Sequence, residues 1–316
     1  MAVAAAPSDQ THVPYQVARH FGLTRKEWQS LGIGLLFISP WLIGFVAFLL
    51  YPLLYTLRIS FTRYSGFGEA TWIGWGNYER MFQDDLFWKS LYNTLYYTGL
   101  AVPIGAVMAM VLALAMNQPL REVGIYRALL YLPSVLPVFA ITFIFIALLD
   151  PNKGLVTRVW GSVGLPNVNW LGDPRYMKIA LVALAQLGAG QAALVFLAGL
   201  KGIPITLYEA AMLDGAGTWR KFWNVTLPLM TPVILYNLIL GLSLGLQTFT
   251  QAYILAPDGG PGNAVSFYVL YLYDNAFRYS QMGYASAMAW GLFVITLVLA
   301  LVVFKWSQRW VHYDTA

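Results

Sequence analysis

Two things are missing from this chain: cysteine and charge. No cysteine occurs in 316 residues, which excludes a disulfide framework, a thiolate metal site and a thiol nucleophile. Asp, Glu, Lys and Arg make up 10% of the chain, against roughly 25% in a soluble domain. With 59% hydrophobic residues and a mean hydropathy of +0.60, it cannot cover a water-facing surface with polar groups. It reads as an all-α integral membrane protein. Histidine is scarce too. His12, His20 and His312 lie in the terminal tails and cannot build an intramembrane metal site or proton relay with one another. No catalytic group and no metal site are expected. The net charge of +5 suits anionic lipid headgroups and carries no nucleic-acid reading.

What is present is long apolar runs. A membrane span needs about 20 apolar residues, because the hydrocarbon layer is about 30 Å thick and a helix rises 1.5 Å per residue. Six runs qualify, at about 31–57, 91–116, 126–149, 179–200, 230–256 and 284–305, with no charge in their interiors. The expectation is a bundle of six transmembrane helices over 30–316, preceded by a polar tail at 1–29, with both termini on one side. The first run is far longer than a signal-peptide core, so it is expected to stay as a span. Basic residues barely orient the bundle. About ten lie on the side of the termini and nine on the other, which only slightly favours cytoplasmic termini. The loops at 58–90, 150–178 and 257–283 are rich in Trp, Tyr, Gly and Asn. Trp72, Trp75, Tyr78 and Trp88 suit a membrane-interface belt better than ligand contact.

Between the fourth and fifth runs lies "LYEAAMLDGAGTWRKFWNVTLPLMTP", residues 207–232, part of a polar loop at 201–229. Thr206-x-x-Glu209 has capping-box spacing behind Pro204. A short helix is predicted to about Leu213, with Ala210 and Ala211 side by side. Asp214-Gly215 breaks it, Thr218 can cap a second short helix, and Leu227-Pro228 leads into the fifth run. Two readings stand. The segment is a surface connector, with Glu209 merely a cap. Alternatively it is a docking knob whose small alanines enter a partner's cleft while Glu209 meets a cation there.

Resemblance bears on the choice. Glu209-Ala210-Ala211, then Gly215 and Val225-Thr226-Leu227-Pro228 at their spacings, resemble the EAA signature of ABC-importer permeases, which more often carry isoleucine at the position of Val225. "YPLLYTLRISF", "GWGNYERMFQDDLFWKSLYNTLYYT", "DGGPGNAVSFYVLYLYDNAF" and "MGYASAMAW" resemble the maltose and glycerol-phosphate branch of that family. Ala256-Pro257-Asp258 departs from the threonine-glycine pair more usual there. The resemblance implies a type I importer permease fold with cytoplasmic termini, in a prokaryotic inner membrane, without the large external domain of the maltose version. It implies that Glu209, Ala210, Ala211, Asp214, Gly215, Leu227 and Pro228 couple the chain to a separate ATPase dimer. It also implies a second homologous permease and an external solute-binding protein. The chain has no G-x-x-x-x-G-K-[ST] phosphate loop and is expected to hold no cofactor, ATP and Mg residing on the ATPase subunits.

Uncharged polar residues inside spans face a cavity or bond a neighbouring helix. Ser134, Gln186, Gln191, Asn237, Gln247, Thr248, Thr250 and Gln251 are of this kind. Ser134, Gln186, Gly188, Gln191, Gln247, Thr250 and Gln251 are the candidates for a solute pathway, and the resemblance favours Ser134, Gln186, Gly188 and the 247–251 patch. Pro133 and Pro137 should kink the third run. Without intramembrane Lys or Arg, a neutral sugar is favoured over a phosphorylated one. The competing class is an ion-coupled secondary transporter, which usually needs intramembrane Asp, Glu or His. An intramembrane enzyme would need a nucleophile and base, and a structural anchor would need no mid-span amides.

Overall fold

A computed structural model describes residues 25–118, 123–166 and 168–311. Most of the expected 1–29 tail lies outside the described residues. The chain divides at Thr56 into two units. In the first, α1 (Arg25–Phe45) runs through a π turn (Val46–Leu50) into α2 (Tyr51–Ser60). Pro52 has no N–H to give the carbonyl four residues back, a local reason for the widened turn before it. Up to Thr56, partway along α2, no described side chain is buried, and Phe37 and Phe48 are more than four-fifths exposed.

The second unit carries the rest. A two-residue hairpin pairs β1 (Thr62–Arg63) antiparallel with β2 (Thr71–Trp72), and α3 (Gly76–Gln83) follows. Then comes α4 (Asp85–Met116), the central helix, capped by Asp84, whose carboxylate accepts from the amides of Leu86 and Phe87. Next are α5 (Val123–Val135), α6 (Val138–Leu148), α7 (Leu155–Ser162), α8 (Pro174–Gln186) and α9 (Ala189–Gly202). The loop helices are α10 (Ile205–Leu213), α11 (Thr218–Lys221), a π turn (Phe222–Thr226) and α12 (Leu227–Leu229). The chain closes with α13 (Thr231–Leu246), α14 (Thr250–Leu255), a single 3-10 turn (Pro261–Asn263), α15 (Tyr268–Tyr273), a π turn (Asp274–Arg278) and α16 (Met282–Ser307).

Small residues let α4 sit at the centre, against α8, α9 and α13. Ala109 and Ala113 of α4 meet Ala193 and Phe196 of α9, all fully buried. Against α13, Gly241 faces Val102 and Gly245 faces Thr98. A Cβ at either glycine would come within 3.0 and 2.8 Å of those side chains. This is the small-x-x-x-small spacing by which membrane helices approach closely.

Among the described residues four helical stretches are long and apolar enough to cross a membrane, at Trp28–Ser60, Asp85–Met116, Thr231–Leu255 and Met282–Ser307. Two more arise only if each bent pair is one span. The expected span at 126–149 breaks by 94° between Val135 and Val138, sharper than a kink. Pro137 adopts an extended ψ of 139° and starts α6, and Leu136 before it is biased away from the helix. The expected span at 179–200 breaks by 46° at Leu187-Gly188. Arg127, at the edge of the third run, spends its charge on α4, donating through Nε and Nη2 to the Met116 carbonyl at 3.0 and 2.9 Å. That satisfies an orphan acceptor at the helix C-terminus.

The end of the bundle opposite the α10–α12 loop is locked by polar contacts. Asn93 donates to the carbonyls of Asn263 and Ser266, and Thr94 accepts from the amide of Tyr268. The phenols of Tyr271 and Tyr284 both donate to Asp84 Oδ2, at 2.5 and 2.7 Å. Burial alone would raise the Asp84 carboxyl, but the two phenols and the two amides outweigh it and hold it below the usual carboxylate range. Burial and that same bond push the Tyr271 phenol up to about 12.

Candidate functional site

A cavity of about 300 Å³ opens where α4, the α8–α9 break, α13 and the start of α14 come together. Its polar groups are Tyr97, Gln186, Asn237, Thr248 and Gln251, and among the described residues no charged side chain lines it. Glycines make the room: Gly105 on α4, Gly188 at the break, Gly241 and Gly245 on α13.

The break builds the key side chain's position. α8 stops at Gln186, and the Leu187 and Gly188 amides close tight turns onto Leu184 and Ala185. Gln186 thus sits on the last turn of α8. Its Nε2 donates to the Val182 carbonyl at 2.8 Å and to that of Ala101 on α4 at 3.4 Å. Its Oε1 is buried with no partner among the described residues and faces Gly105, where a Cβ would come within 3.3 Å. A buried amide oxygen without a donor is costly in an apolar bundle. A hydroxyl or water entering the cavity would relieve it. Asn237 donates to the carbonyl of Val233 in its own helix and keeps its oxygen available. Together these groups can accept from and donate to a neutral, hydroxyl-rich solute.

Of the seven pathway candidates, the structure brings Gln186, Gly188 and Gln251 to one cavity. The other four lie elsewhere. Ser134 donates to Tyr131 of its own helix and packs against Gly190 of α9. Gln191 and Thr250 are exposed. Gln247 turns to a separate cavity between α15 and α16, beside Phe293 and Thr296. Asn237 and Thr248, weighed in the sequence but not chosen, do line the main cavity, because the break at 247–249 rotates Thr248 inward and Gln247 outward. Tyr97 and the glycines of α13 were missed. The Gly241-x-x-x-Gly245 spacing is the signal that could have found the α4–α13 seam.

The charged loop is built as two short helices at a glycine corner. α10 starts at Ile205, two residues earlier than a Thr206 cap would place it, with Pro204 in the cap position and no side-chain capping bond. The Thr206–Glu209 capping box is therefore not formed, because Thr206 already lies inside the first turn. At the other end, the Gly215 amide bonds the Met212 carbonyl and the Ala216 amide bonds that of Ala211. This paired closure needs a left-handed residue, and Gly215 has φ +74°. Gly217, not Thr218, precedes α11 as its cap. Tyr208 and Thr226 share a hydrogen bond of 3.0 Å, which ties the first helix to the end of the loop. No residue of α10 is buried; Ile205 is 71% exposed and Leu213 91%. Glu209, Ala210, Asp214 and Gly215 are exposed with it, while Ala211, Leu227 and Pro228 are half-buried.

An apolar helical bundle with an uncharged polar cavity at its heart and an unburied helical loop at one end belongs to the class of multi-pass membrane transport subunits. Residues 88–313 match the family of binding-protein-dependent transport system inner membrane components, and the chain belongs to that family. It is a permease subunit of an ABC importer, and the ATPase is a separate subunit. The chain is 39% identical over 285 residues to a probable ABC transporter permease of Bacillus subtilis, covering 89% of this chain and 92% of that one. It is 33% identical to the lactose transport system permease of Rhizobium radiobacter, over 86% of this chain and 92% of the relative. It is 32% identical to the arabinooligosaccharides transport system permease of Bacillus subtilis, over 86% and 87%. Its fold is similar to that of a chain of the bacterial alginate ABC transporter solved in complex with an alginate pentasaccharide-bound periplasmic protein. The TM-score is 0.77 at 25% identity, covering 90% of this chain and 96% of that one.

Proposed function

We propose that this permease forms half of the pathway for a neutral sugar, a di- or oligosaccharide, across a prokaryotic inner membrane. Six spans with cytoplasmic termini fit this reading, each bent pair serving as one span. A second homologous permease completes the pathway, and an external solute-binding protein delivers the sugar. The exposed α10, with Glu209, Ala210, Ala211, Asp214 and Gly215, docks in a cleft of the ATPase dimer, and Leu227-Pro228 carries the movement into α13. ATP closes that dimer, the docked helices approach each other, and the bundle turns from inward-facing to outward-facing. ATP and Mg stay on the ATPase.

The observation that carries the substrate class is the Gln186 oxygen, without a partner among the described residues, in a cavity that no described charged side chain lines. Such a site offers hydrogen bonds to hydroxyls and nothing to neutralise a phosphate. The relatives named for lactose and arabinooligosaccharides support it. The test begins with the complex purified from its native membrane. Neutral oligosaccharides, presented with the binding protein, should stimulate its ATP hydrolysis, and Gln186→Ala should weaken that response. Stimulation by sugar phosphates alone would overturn the substrate reading. Recovery of the chain without any ATPase would overturn the coupling reading.

A further inference from the structure

The β1–β2 hairpin, α3 and the start of α16 enclose a cavity of about 470 Å³, separate from the one at α4, α8 and α13. Backbone contacts fix its frame. The Gly283 amide donates to the Tyr64 carbonyl at 3.0 Å, and a Cβ at Gly283 would run into the carbonyl of Thr62. Asn77, 6% exposed, donates through Nδ2 to the carbonyls of Ser60 and Thr62, at 2.8 Å each. Ser280 turns the chain toward α16 with φ +51°, a left-handed backbone that a side chain adopts only where its surroundings hold it.

Two lining side chains keep their donors. Tyr64, Ser65 and Tyr284 give their hydroxyl protons elsewhere, to the Gly66 carbonyl at 3.0 Å, the Phe67 carbonyl at 2.9 Å and Asp84 at 2.7 Å. Arg63 and Arg80 also line the cavity, and both are exposed. Among the described residues no carboxylate lines it, and neither guanidinium has an ion-pair partner. Arg80 lies over the Tyr284 ring, 4.3 Å from its centroid. Stacked in that way, a guanidinium keeps its in-plane N–H groups free to donate. The nearby acid, Asp84, is already met by two phenols and two amides. A rigid cavity with two unpaired guanidinium groups at its mouth suits a carboxylate, which meets the guanidinium fork in two parallel bonds.

We infer that this cavity receives an acidic side chain of the external solute-binding protein, its carboxylate held between Arg63 and Arg80. The inference rests on the proposed orientation. Tyr284 and Asp84 belong to the end of the bundle opposite the α10–α12 loop, so a loop docked on the ATPase leaves the cavity facing outward. Strength favours a protein-borne acid over a free one. Exposed ion pairs are individually weak, so a free acid gains little from two arginines at an open mouth. A side chain on a protein docked beside them has no further translational freedom to lose. Pairs of this kind speed encounter and fix orientation, which would seat the binding protein in register with the pathway.

The test immobilises the whole importer complex in nanodiscs and measures binding of its sugar-loaded solute-binding protein at low and high salt. Arg63→Gln with Arg80→Gln should weaken binding about tenfold at low salt, chiefly through slower association, and flatten its salt dependence. Lys89→Gln with Lys178→Gln, cations outside the cavity, should change neither. Thermal melts check that each variant is folded, and ATP hydrolysis without the binding protein should be the same in all. Undiminished binding by the arginine variant overturns the inference, and so does an equal loss in the lysine variant, since diffuse charge then suffices. Glutarate is the probe for a free acid. Should it bind wild type without the binding protein, and not the arginine variant, the cavity is a small-acid site and the inference again falls. A wild-type complex that binds no solute-binding protein at all would instead overturn the delivery reading on which the inference rests.

Discussion

Ser134 of α5 and Gly190 of α9 touch at a point where only glycine fits: a Cβ at 190 would lie 2.8 Å from Ser134 Oγ and 3.2 Å from its Cβ. The polar side chain that the sequence offers as a pathway group is thus occupied with helix packing. Gly190→Ala should destabilise the chain by about 1–3 kcal/mol through overpacking. Adding Ser134→Gly should recover most of that loss, since it removes both close atoms. Thermal melts of the single and double variants in detergent decide it. Equal melting of Gly190→Ala and wild type would remove the contact from the fold's accounting.

Asp84 joins three helices through one carboxylate. Asp84→Ala should cost about 2–4 kcal/mol, combining a lost N-cap with two lost phenol bonds to a charged acceptor. The sign with pH follows from its depressed pKa. Its contribution is fully present above the unfolded value near 3.8 and fades as pH falls through the lower folded value. Wild type should therefore lose melting temperature below pH 4 more steeply than Asp84→Asn. Parallel curves for the two would refute the clamp.

Gly215 holds φ +74° with nothing within 4 Å of where a Cβ would stand. The cost of a side chain there is therefore backbone strain alone, about 1–2 kcal/mol. Gly215→Asn should be tolerated and Gly215→Pro should not, with ATP-driven uptake as the readout at equal membrane levels. Under the proposed docking of α10, Glu209→Lys should abolish uptake while leaving the melt unchanged, since Glu209 is exposed. Uptake that survives Glu209→Lys would return the loop to a surface connector.

The cavity separates residues that look alike in sequence. Gln186→Ala and Gln251→Ala should lower uptake on the order of tenfold, the worth of a hydrogen bond or so to solute. Gln191→Ala and Thr250→Ala, both on exposed positions, should leave it nearly unchanged. Initial uptake rates in one reconstituted complex would compare all four. Equal losses at all of them would mean that the 300 Å³ cavity is not the solute's site.

The sequence by itself determined the class. Missing charge and long apolar runs leave only a membrane bundle, because no polar surface is available to face water. It also determined the loop's corner. Asp214-Gly215 must turn left-handed, and only glycine does so without strain. It did not determine which amide faces inward. Gln247, Thr248 and Gln251 share one short stretch, and only the break after Leu246 sends Thr248 and Gln251 to the cavity and Gln247 away. Nor did it show that 126–149 turns through 94° or that Gln186 ends a helix. Those outcomes depend on which neighbours receive the freed backbone and side-chain groups. Such partners lie far along the chain, as Ala101 does from Gln186, so only tertiary packing could choose them.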